Sequence, residues 1–478
     1  MAVDICYIVS HGFASRMLTQ TDLLGRLRQR GLSVAVIAPD AEDPELSAYC
    51  RERGIRLEEF RPQPGLFNDD YLFKRNYFLE DIRANPALWE KHLAATRFHQ
   101  ARNPFKRLRP HWYYFLHRLI PRFPAIRRRF KANERRFLNS PDAERLIATL
   151  APRKLISTYP VTLAEAILLH YGNRHADVET WIHLLSWDNI TCKGRFVETA
   201  DRYIAWGPIM RDELMTLYGV PADRIAECGV PHFDLHLDPR VAPLRPGILS
   251  ALGLDPARPY LLFAMSSPRF APNEIDLVEW LAGKVGEGAF GDMQLLVRPH
   301  PQNVIGNLGD VSWLPRLRTL ATQRDVAVAF PKLVTSKMRW SMQHDDMIEL
   351  VASLSGATTV LNSGSTVSID ALMHDRPVVL TSFDADRKRD YWDSARRLID
   401  YPHLKKLVGL GGVRVAKDLS QLEQVIRDIL SSPDSDRAQR AIAVQQECSA
   451  RDGGATERVV QLLSAAHDAS VAAASHRP

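Results

Sequence analysis

Three strand-to-loop transitions in the second half of the chain collect hydroxyls, an arginine and a histidine. The most informative is Leu361-Asn-Ser-Gly-Ser-Thr-Val-Ser-Ile-Asp-Ala-Leu372, where a short apolar run ends in small polar residues and a helical pattern starts at once. A helix N-terminus exposes unsatisfied N–H groups and the positive end of the helix dipole, which suits a phosphate. Ser363, Ser365 and Thr366 add hydroxyls with little bulk. Gly364 permits close approach to the backbone. Asp370, a turn into the helix, could accept hydrogen bonds from ribose hydroxyls. Ordinary capping by Ser365 or Thr366 accounts for the same residues, so this stretch alone leaves both readings open.

The second transition is Met265-Ser266-Ser267-Pro268, placed where the first turn of a nucleotide-binding half would meet a pyrophosphate. A Ser-rich turn before a proline is the plainer account. The third is Val297-Arg298-Pro299-His300-Pro301. Arg298 could neutralise a phosphate by a bidentate contact. His300, held between two prolines, has restricted backbone freedom, and an imidazolium there could stabilise a leaving group's charge. Because all three loops follow strands of one expected sheet, the functional reading is favoured over a Pro-rich surface loop.

In the first half, His11 follows the first expected strand and is a candidate general base, its ordinary pKa being near neutral. Leu185-Ser-Trp-Asp-Asn189 follows another strand. Trp187 offers a flat apolar face to a sugar ring, Asp188 is a second candidate base, and Lys193 could pair with an anionic group. An Asx turn at Asp188-Asn189 and a core-packed Trp187 explain the same residues. The choice between His11 and Asp188 stays open.

The elements that must carry these residues follow an α/β rhythm. Ile5–Val9, a helical pattern over 17–27 stopped by Gly31, and Ser33–Ala38 form a βαβ unit, which implies a parallel sheet. After a Pro-broken stretch at about 60–150, read as an insertion, strands are expected at Lys154–Ser157, Glu179–Leu185, Arg202–Trp206 and Arg224–Val230. Prolines at 239, 243, 246 and 256 mark a boundary. A second series of strands then begins at Tyr260, Met293, Val326, Thr358 and Val378. The expected domains are thus 1–240, carrying the insertion, and 241–478, carrying the terminal helices. The fold class is α/β, with two Rossmann-like parallel-sheet domains facing a central cleft. Open parallel sheets bind ligands beyond the carboxyl ends of their strands.

A chain of 478 residues with 45% hydrophobic and 25% charged residues can build large cores without disulfides or a metal. Its five cysteines are odd in number and none are spaced C-x-x-C, so no zinc site or disulfide framework is expected. No signal peptide is read at the N-terminus and no run of about 18 apolar residues exists to span a membrane. The simplest location is the cytoplasm. The formal charge of +6 is uneven: residues 97–136 hold thirteen Lys/Arg against the single Glu134, so this segment carries +12 and the remainder −6. Basic residues alternate there with aromatics, as in His111-Trp-Tyr-Tyr-Phe115. That composition suits an anionic membrane surface. A solvated charge run ranks second and nucleic acid third.

The chain resembles the GT-B glycosyltransferase superfamily. It is more closely similar to the bacterial branch of CDP-glycerol glycerophosphotransferases and surface-polysaccharide glycosyltransferases. The resemblance rests on Ser186–Gly194, Ala205-Trp-Gly-Pro208, Gly229-Val-Pro-His-Phe-Asp234, Arg298–Pro301, Ser363–Leu372 and Asp375-Arg-Pro-Val-Val379. Late in the chain Tyr401–Leu404, Gly412–Ala416 and Asp452–Thr456 also fit. It covers about 150–460, and more weakly the first 40 residues. It implies donor binding in the C-terminal half, with His300 and the Ser363/Ser365/Thr366 loop at the phosphates. It also implies an acceptor against the N-terminal half, work on the cytoplasmic face of a membrane, and inversion. Where the glycerophosphotransferases carry a His-Gly-Thr type motif this chain has Trp187-Asp188-Asn189, which favours sugar transfer.

The expected function is therefore metal-independent transfer of a sugar from a nucleotide sugar to a lipid-linked or polysaccharide acceptor, with the nucleotide sugar as substrate and no cofactor. Glycerol- or ribitol-phosphate transfer from a CDP donor is the alternative enzyme. A membrane- or nucleic-acid-binding adaptor on an inactive scaffold is the alternative of another class.

Overall fold

The computed structural model describes residues 2–62, 83–102, 123–306, 311–334 and 342–475, with Trp112, Phe115, Leu119, Ser336 and Met338 between them. The chain divides into two compact units. Unit 1 comprises Met1–Cys228, Thr335–Ser341 and Glu457–Pro478; unit 2 comprises Gly229–Val334 and Met342–Thr456.

Unit 1 is built on strands β1 (Ile5–Ile8), β2 (Val34–Ala38), β3 (Arg56–Glu59), β4 (Lys154–Ser157), β5 (Glu179–His183), β6 (Arg202–Ala205) and β7 (Ile225–Glu227). They form one parallel sheet in the order β3-β2-β1-β4-β5-β6-β7. β1 and β2 are buried at every position, because helices cover both faces of a parallel sheet and such strands read as continuous apolar runs. β3 carries Arg56, Glu58 and Glu59 and lies at the sheet's edge, where charge is tolerated. For that reason it has no apolar signature in the sequence.

Unit 2 contains β8 (Tyr260–Ala264), β9 (Gln294–Arg298), β10 (Val326–Val328), β11 (Thr359–Asn362), β12 (Val378–Thr381) and β13 (Arg414–Ala416). Its parallel sheet runs β10-β9-β8-β11-β12-β13. In each unit the chain winds outward one way from a central strand and then reverses. The reversal lies between β1 and β4 in unit 1 and between β8 and β11 in unit 2. Such switch points open a crevice beyond the strand ends.

The division differs from the expected 240/241 boundary in two respects. It falls between Cys228 and Gly229, ahead of the Pro-rich stretch. The terminal helix Ala455–Ser475 belongs almost wholly to unit 1, since Val459, Val460 and Leu463 pack into the core of that unit with Leu24, Val34 and Val36. Asp234 ties the start of this helix to the entry of unit 2: its carboxylate accepts the Ala455 and Thr456 N–H groups at 3.0 and 2.7 Å.

The segment at 60–150 is the β3–β4 crossover. Its described part includes helices Pro86–Arg102, Pro124–Phe137 and Pro141–Leu150. Residues 103–111, 113–114, 116–118 and 120–122 of the basic segment lie outside the described residues. No described helix is long and apolar enough to cross a membrane.

Candidate functional site

In unit 2 the three loops singled out in the sequence lie at the carboxyl ends of β8, β9 and β11, around the switch point. The Met265 N–H donates to the Arg298 carbonyl at 2.9 Å, so the β8 and β9 ends are in register. The Asn303 side-chain N–H donates to the Ser266 carbonyl at 3.1 Å.

The β11 loop is organised by a residue not given a role beforehand. The carbonyl oxygen of the fully buried Asn362 side chain accepts the Gly364 and Ser365 N–H groups at 2.8 and 2.9 Å. This Asx turn uses two N–H groups expected to face a phosphate. Ser363 is buried, its hydroxyl 2.8 Å from that of Thr381. Among the described residues nothing takes up the Thr366 hydroxyl, and Thr366 makes no side-chain cap bond. Ser365 offers its hydroxyl oxygen weakly to the Val367 N–H at 3.5 Å. Gly364 has φ +106°, and a Cβ there would meet Leu404 Cδ1 at 2.7 Å. Backbone geometry and packing against Leu404 both demand glycine, whether or not a ligand approaches.

Arg298 does not present a free guanidinium. Its two terminal nitrogens donate to Glu349 at 3.0 Å and to Asp346 at 2.6 Å, and all three side chains are buried. Lys332 adds an ammonium contact to Glu349 at 2.7 Å and a backbone N–H to Asp346 at 2.7 Å. The arginine expected at a phosphate is thus the centre of a buried ion cluster that fixes the end of β9.

Asp370 is likewise engaged. Its carboxylate lies 2.8 Å from His236 Nε2, and His236 Nδ1 lies 2.9 Å from His374 Nε2. The pair ties the 3-10 segment Pro231–Leu237 to helix Val367–Met373, so Asp370 serves packing where ribose contact was expected. Burial and the neighbouring His236 hold His374 neutral, with its pKa lowered to about 2.

His300 caps the turn Pro301–Asn303, Nδ1 accepting the Gln302 N–H at 3.2 Å. Burial lowers its pKa to about 4, so the expected imidazolium is corrected to a neutral ring near pH 7. With Nδ1 as acceptor, the ring proton resides on Nε2, which can donate to an anion.

Ser266 and Ser267 are buried at the β8 end. The Ser266 N–H donates to Glu274 Oε2. Glu274 opens helix Glu274–Gly286, is fully buried, and reached no candidate list from sequence, because an acidic residue in a first helical turn reads as dipole compensation.

Unit 1 gathers a second cluster at its own strand ends. His11 caps helix Gly12–Gln20, Nδ1 accepting the Phe13 N–H at 3.3 Å, and its ring lies 5.8 Å from that of Tyr159. Asp188 is paired with Lys193 at 2.7 Å. The Lys193 ammonium is raised in pKa chiefly by Asp188. Tyr159, raised chiefly by burial, senses both. Trp187 is buried, as its packing alternative required, and is no exposed sugar platform. Asn189 is fully buried, and among the described residues neither of its amide atoms finds a hydrogen bond.

A buried carboxylate also clasps the unit 1 switch point. Glu165 accepts from Ser10 N and Oγ at the end of β1, and from Ser157 Oγ, Thr158 N and Tyr159 N at the end of β4.

Two sheets of this order, each with its crossover helices and reversal point, define a GT-B-like α/β fold. No family model matches the chain, and no curated protein matches it in sequence. Among solved structures it is similar to a UDP-N-acetylglucosamine 2-epimerase, with TM-score 0.53 and 12% identity over 98% of this chain and 96% of that one. The Neisseria meningitidis UDP-GlcNAc 2-epimerase bound to UDP-GlcNAc gives TM-score 0.54 and 10% identity over 97% and 99%. The glycotransferase of kitacinnamycin gives TM-score 0.50 and 13% identity over 97% and 98%. At such identities the likeness carries the fold.

Proposed function

We propose that the protein is a metal-independent GT-B glycosyltransferase that moves a sugar from a nucleotide sugar to an acceptor hydroxyl, with inversion. The observation carrying this reading is the convergence of the β8, β9 and β11 loops on one switch point, where Thr366, Ser365, the Ser266 hydroxyl and the His300 ring are the donors for a phosphate. In this reading Asn362 and Arg298 act as positioning residues: one shapes the β11 loop and the other fixes the β9 end. Gly364 admits the backbone geometry. Ser267, Ser363 and Asp370 support the loops and the helix behind them. His300 stabilises the departing phosphate by a neutral hydrogen bond.

For the acceptor, unit 1 supplies the base. The His11 cap places its ring proton on Nε2, the wrong tautomer for accepting a proton there. Asp188, paired with Lys193 at 2.7 Å, is the better candidate. Asp188→Asn should abolish turnover and leave donor binding intact. Full activity of that variant would remove Asp188 from the mechanism.

A second enzymatic reading, sugar-nucleotide 2-epimerisation, draws support from the UDP-GlcNAc 2-epimerases among the similar folds. One assay separates the readings. Nucleotide sugars, CDP-glycerol and CDP-ribitol are screened by thermal shift, and each hit is incubated with and without glycan or lipid-linked acceptors. Acceptor-dependent release of the nucleotide is the expected result. Acceptor-independent formation of a C2 epimer would replace transfer by epimerisation. Stabilisation by CDP-polyols alone would assign polyol-phosphate transfer and the closer family resemblance. No response to any nucleotide would leave the adaptor reading. The acceptor is proposed to be lipid-linked or a surface polysaccharide, met at the cytoplasmic face of a membrane.

A further inference from the structure

The donor-site floor contains more buried polar atoms than it satisfies. Among the described residues Glu274 Oε1, Ser266 Oγ and Asn303 Oδ1 are buried without a hydrogen-bonding partner. They belong together. Glu274 Oε2 accepts the Ser266 N–H, and Asn303 Nδ2 donates to the Ser266 carbonyl. The latter bond fixes the Asn303 oxygen as the inward atom. Native proteins leave few buried polar atoms unsatisfied, and three in contact-linked residues at one strand end point to a group that binds there.

The chemistry of the three atoms is mismatched to an anion in one protonation state only. With Glu274 ionised, the floor shows two acceptors, Glu274 Oε1 and Asn303 Oδ1, against one hydroxyl. With Glu274 neutral, its carboxyl becomes a donor. The corresponding carboxylate of unit 1 makes the contrast. Glu165, raised in pKa by burial, accepts six hydrogen bonds from Ser10, Ser157, Thr158 and Tyr159 that pull it back. Glu274 accepts the Ser266 N–H on Oε2 and has the polar groups of Ser363 near it, yet among the described residues its Oε1 has no hydrogen-bonding partner.

We propose that Glu274 is a positioning residue of the donor site, clasping the ends of β8 and β11 and carrying a proton whenever a nucleotide phosphate is bound there. The inference rests on the donor-site reading given above. Burial pushes the free Glu274 carboxyl up to about 7, while the nearby polar groups of Ser363 and Ser266 pull it partway back. Free protein near pH 8 is therefore mostly ionised at this position, and an arriving phosphate draws a proton from solvent.

The charged groups packed around the site are otherwise committed. Asp276, on the same helix, faces Arg316. At the β9 end Arg298 is held by Asp346 and Glu349, and His300 stays neutral above pH 7. Arg389 donates to Asn273, and Arg397 donates to the Phe270 and Arg269 carbonyls. Asp384 accepts from Ser394. None of these groups pairs with Glu274.

The test is calorimetric titration of the full chain with UDP, GDP and CDP between pH 7 and 8.5, in two buffers of different ionisation enthalpy. A nucleotide phosphate loses its last proton near pH 6 and contributes little in this window. The expected result for the nucleotide that binds is uptake of close to one proton at pH 8, with affinity falling about tenfold per pH unit above pH 7. Glu274→Gln keeps the shape of the side chain and should bind with no uptake and a flat pH profile, which a purely structural role would not produce. Binding by the wild-type chain without proton uptake overturns the inference and leaves the donor site standing, even if the variant does not fold. Uptake that persists in Glu274→Gln overturns it equally. Binding of none of the three nucleotides overturns the donor-site reading itself.

Discussion

Asp188, Lys193, Arg298 and Asp370 illustrate how side-chain chemistry is redirected by partners that a local reading does not see. Each was a plausible contact to a substrate, and each is found in an ion pair or hydrogen bond within its own unit. The buried histidines lead to a stability prediction. His183 and His300 have pKa values lowered by burial to about 3 and about 4, and that of His374 is lowered to about 2. A group depressed in this way is neutral in the fold and takes up a proton on unfolding once pH drops below about 6.5. Its stabilisation is thus complete above pH 6.5 and lost as pH falls toward the folded value. The loss is up to about 1.4 kcal/mol per pH unit for each histidine. Glu274 has the opposite sign: its raised pKa favours the fold below its ordinary value, and that gain disappears as pH rises through about 7. The histidines outnumber it, so Tm should fall steeply between pH 6 and pH 4. A Tm flat across that interval in calorimetric scans would contradict the burial of these rings.

At the scale of elements, apolar strands are readable whether central or at an edge, and the charged edge strands are not. β4 and β10 occupy the expected residues, because a strand covered on both faces is a short unbroken apolar run. β3 and β13 were missed as elements: Arg56, Glu58, Glu59 and Arg414 face the surroundings of an edge and carry no hydrophobic period. Helix Ala455–Ser475 was foreseen from about 456, but its partner was not. Its residues Val459, Val460 and Leu463 complete the core of unit 1. Burying each such side chain contributes about 1.5–3 kcal/mol. Truncation before Glu457 should therefore loosen unit 1 selectively. Limited proteolysis followed by mass spectrometry should find new cleavage within 1–228 and protection of 229–456. Equal sensitivity of both units would mean that the helix does not belong to the first.

At the scale of the whole molecule, the charge distribution carries the remaining expectation. Residues 97–136 concentrate +12 in a chain whose total is +6. Within this segment the described Trp112 and Phe115 are 58% and 52% exposed and stack on each other, and Phe123 is 51% exposed. Large aromatics left in water beside basic residues fit the headgroup region of an anionic bilayer. Vesicles containing phosphatidylserine should float the protein, neutral vesicles should not, and raised salt should release it. Arg127, Arg128 and Arg129 replaced together by Ser should weaken flotation. Undiminished flotation of that variant would remove this segment as the membrane contact.

The α/β alternation, the two parallel sheets and the strand ends that carry the polar loops are all legible in the chain. They depend on local periodicity and on turn residues that act within a few positions. The loop at Asn362–Thr366 was likewise recognisable as special, since a strand, a glycine and a helix start follow one another without a gap. Which of its atoms are available to a ligand is a different kind of fact. Asn362 claims two of the N–H groups, and Glu274 reaches this switch point from residues 88 positions earlier in the chain. Arg298 meets Asp346 and Glu349, and Asp370 meets His236, across separations of 48, 51 and 134 residues. Pairing at such distances is decided by how sheets and helices stack, because a polar side chain buried by that stacking must find whatever partner the packing brings within about 3 Å.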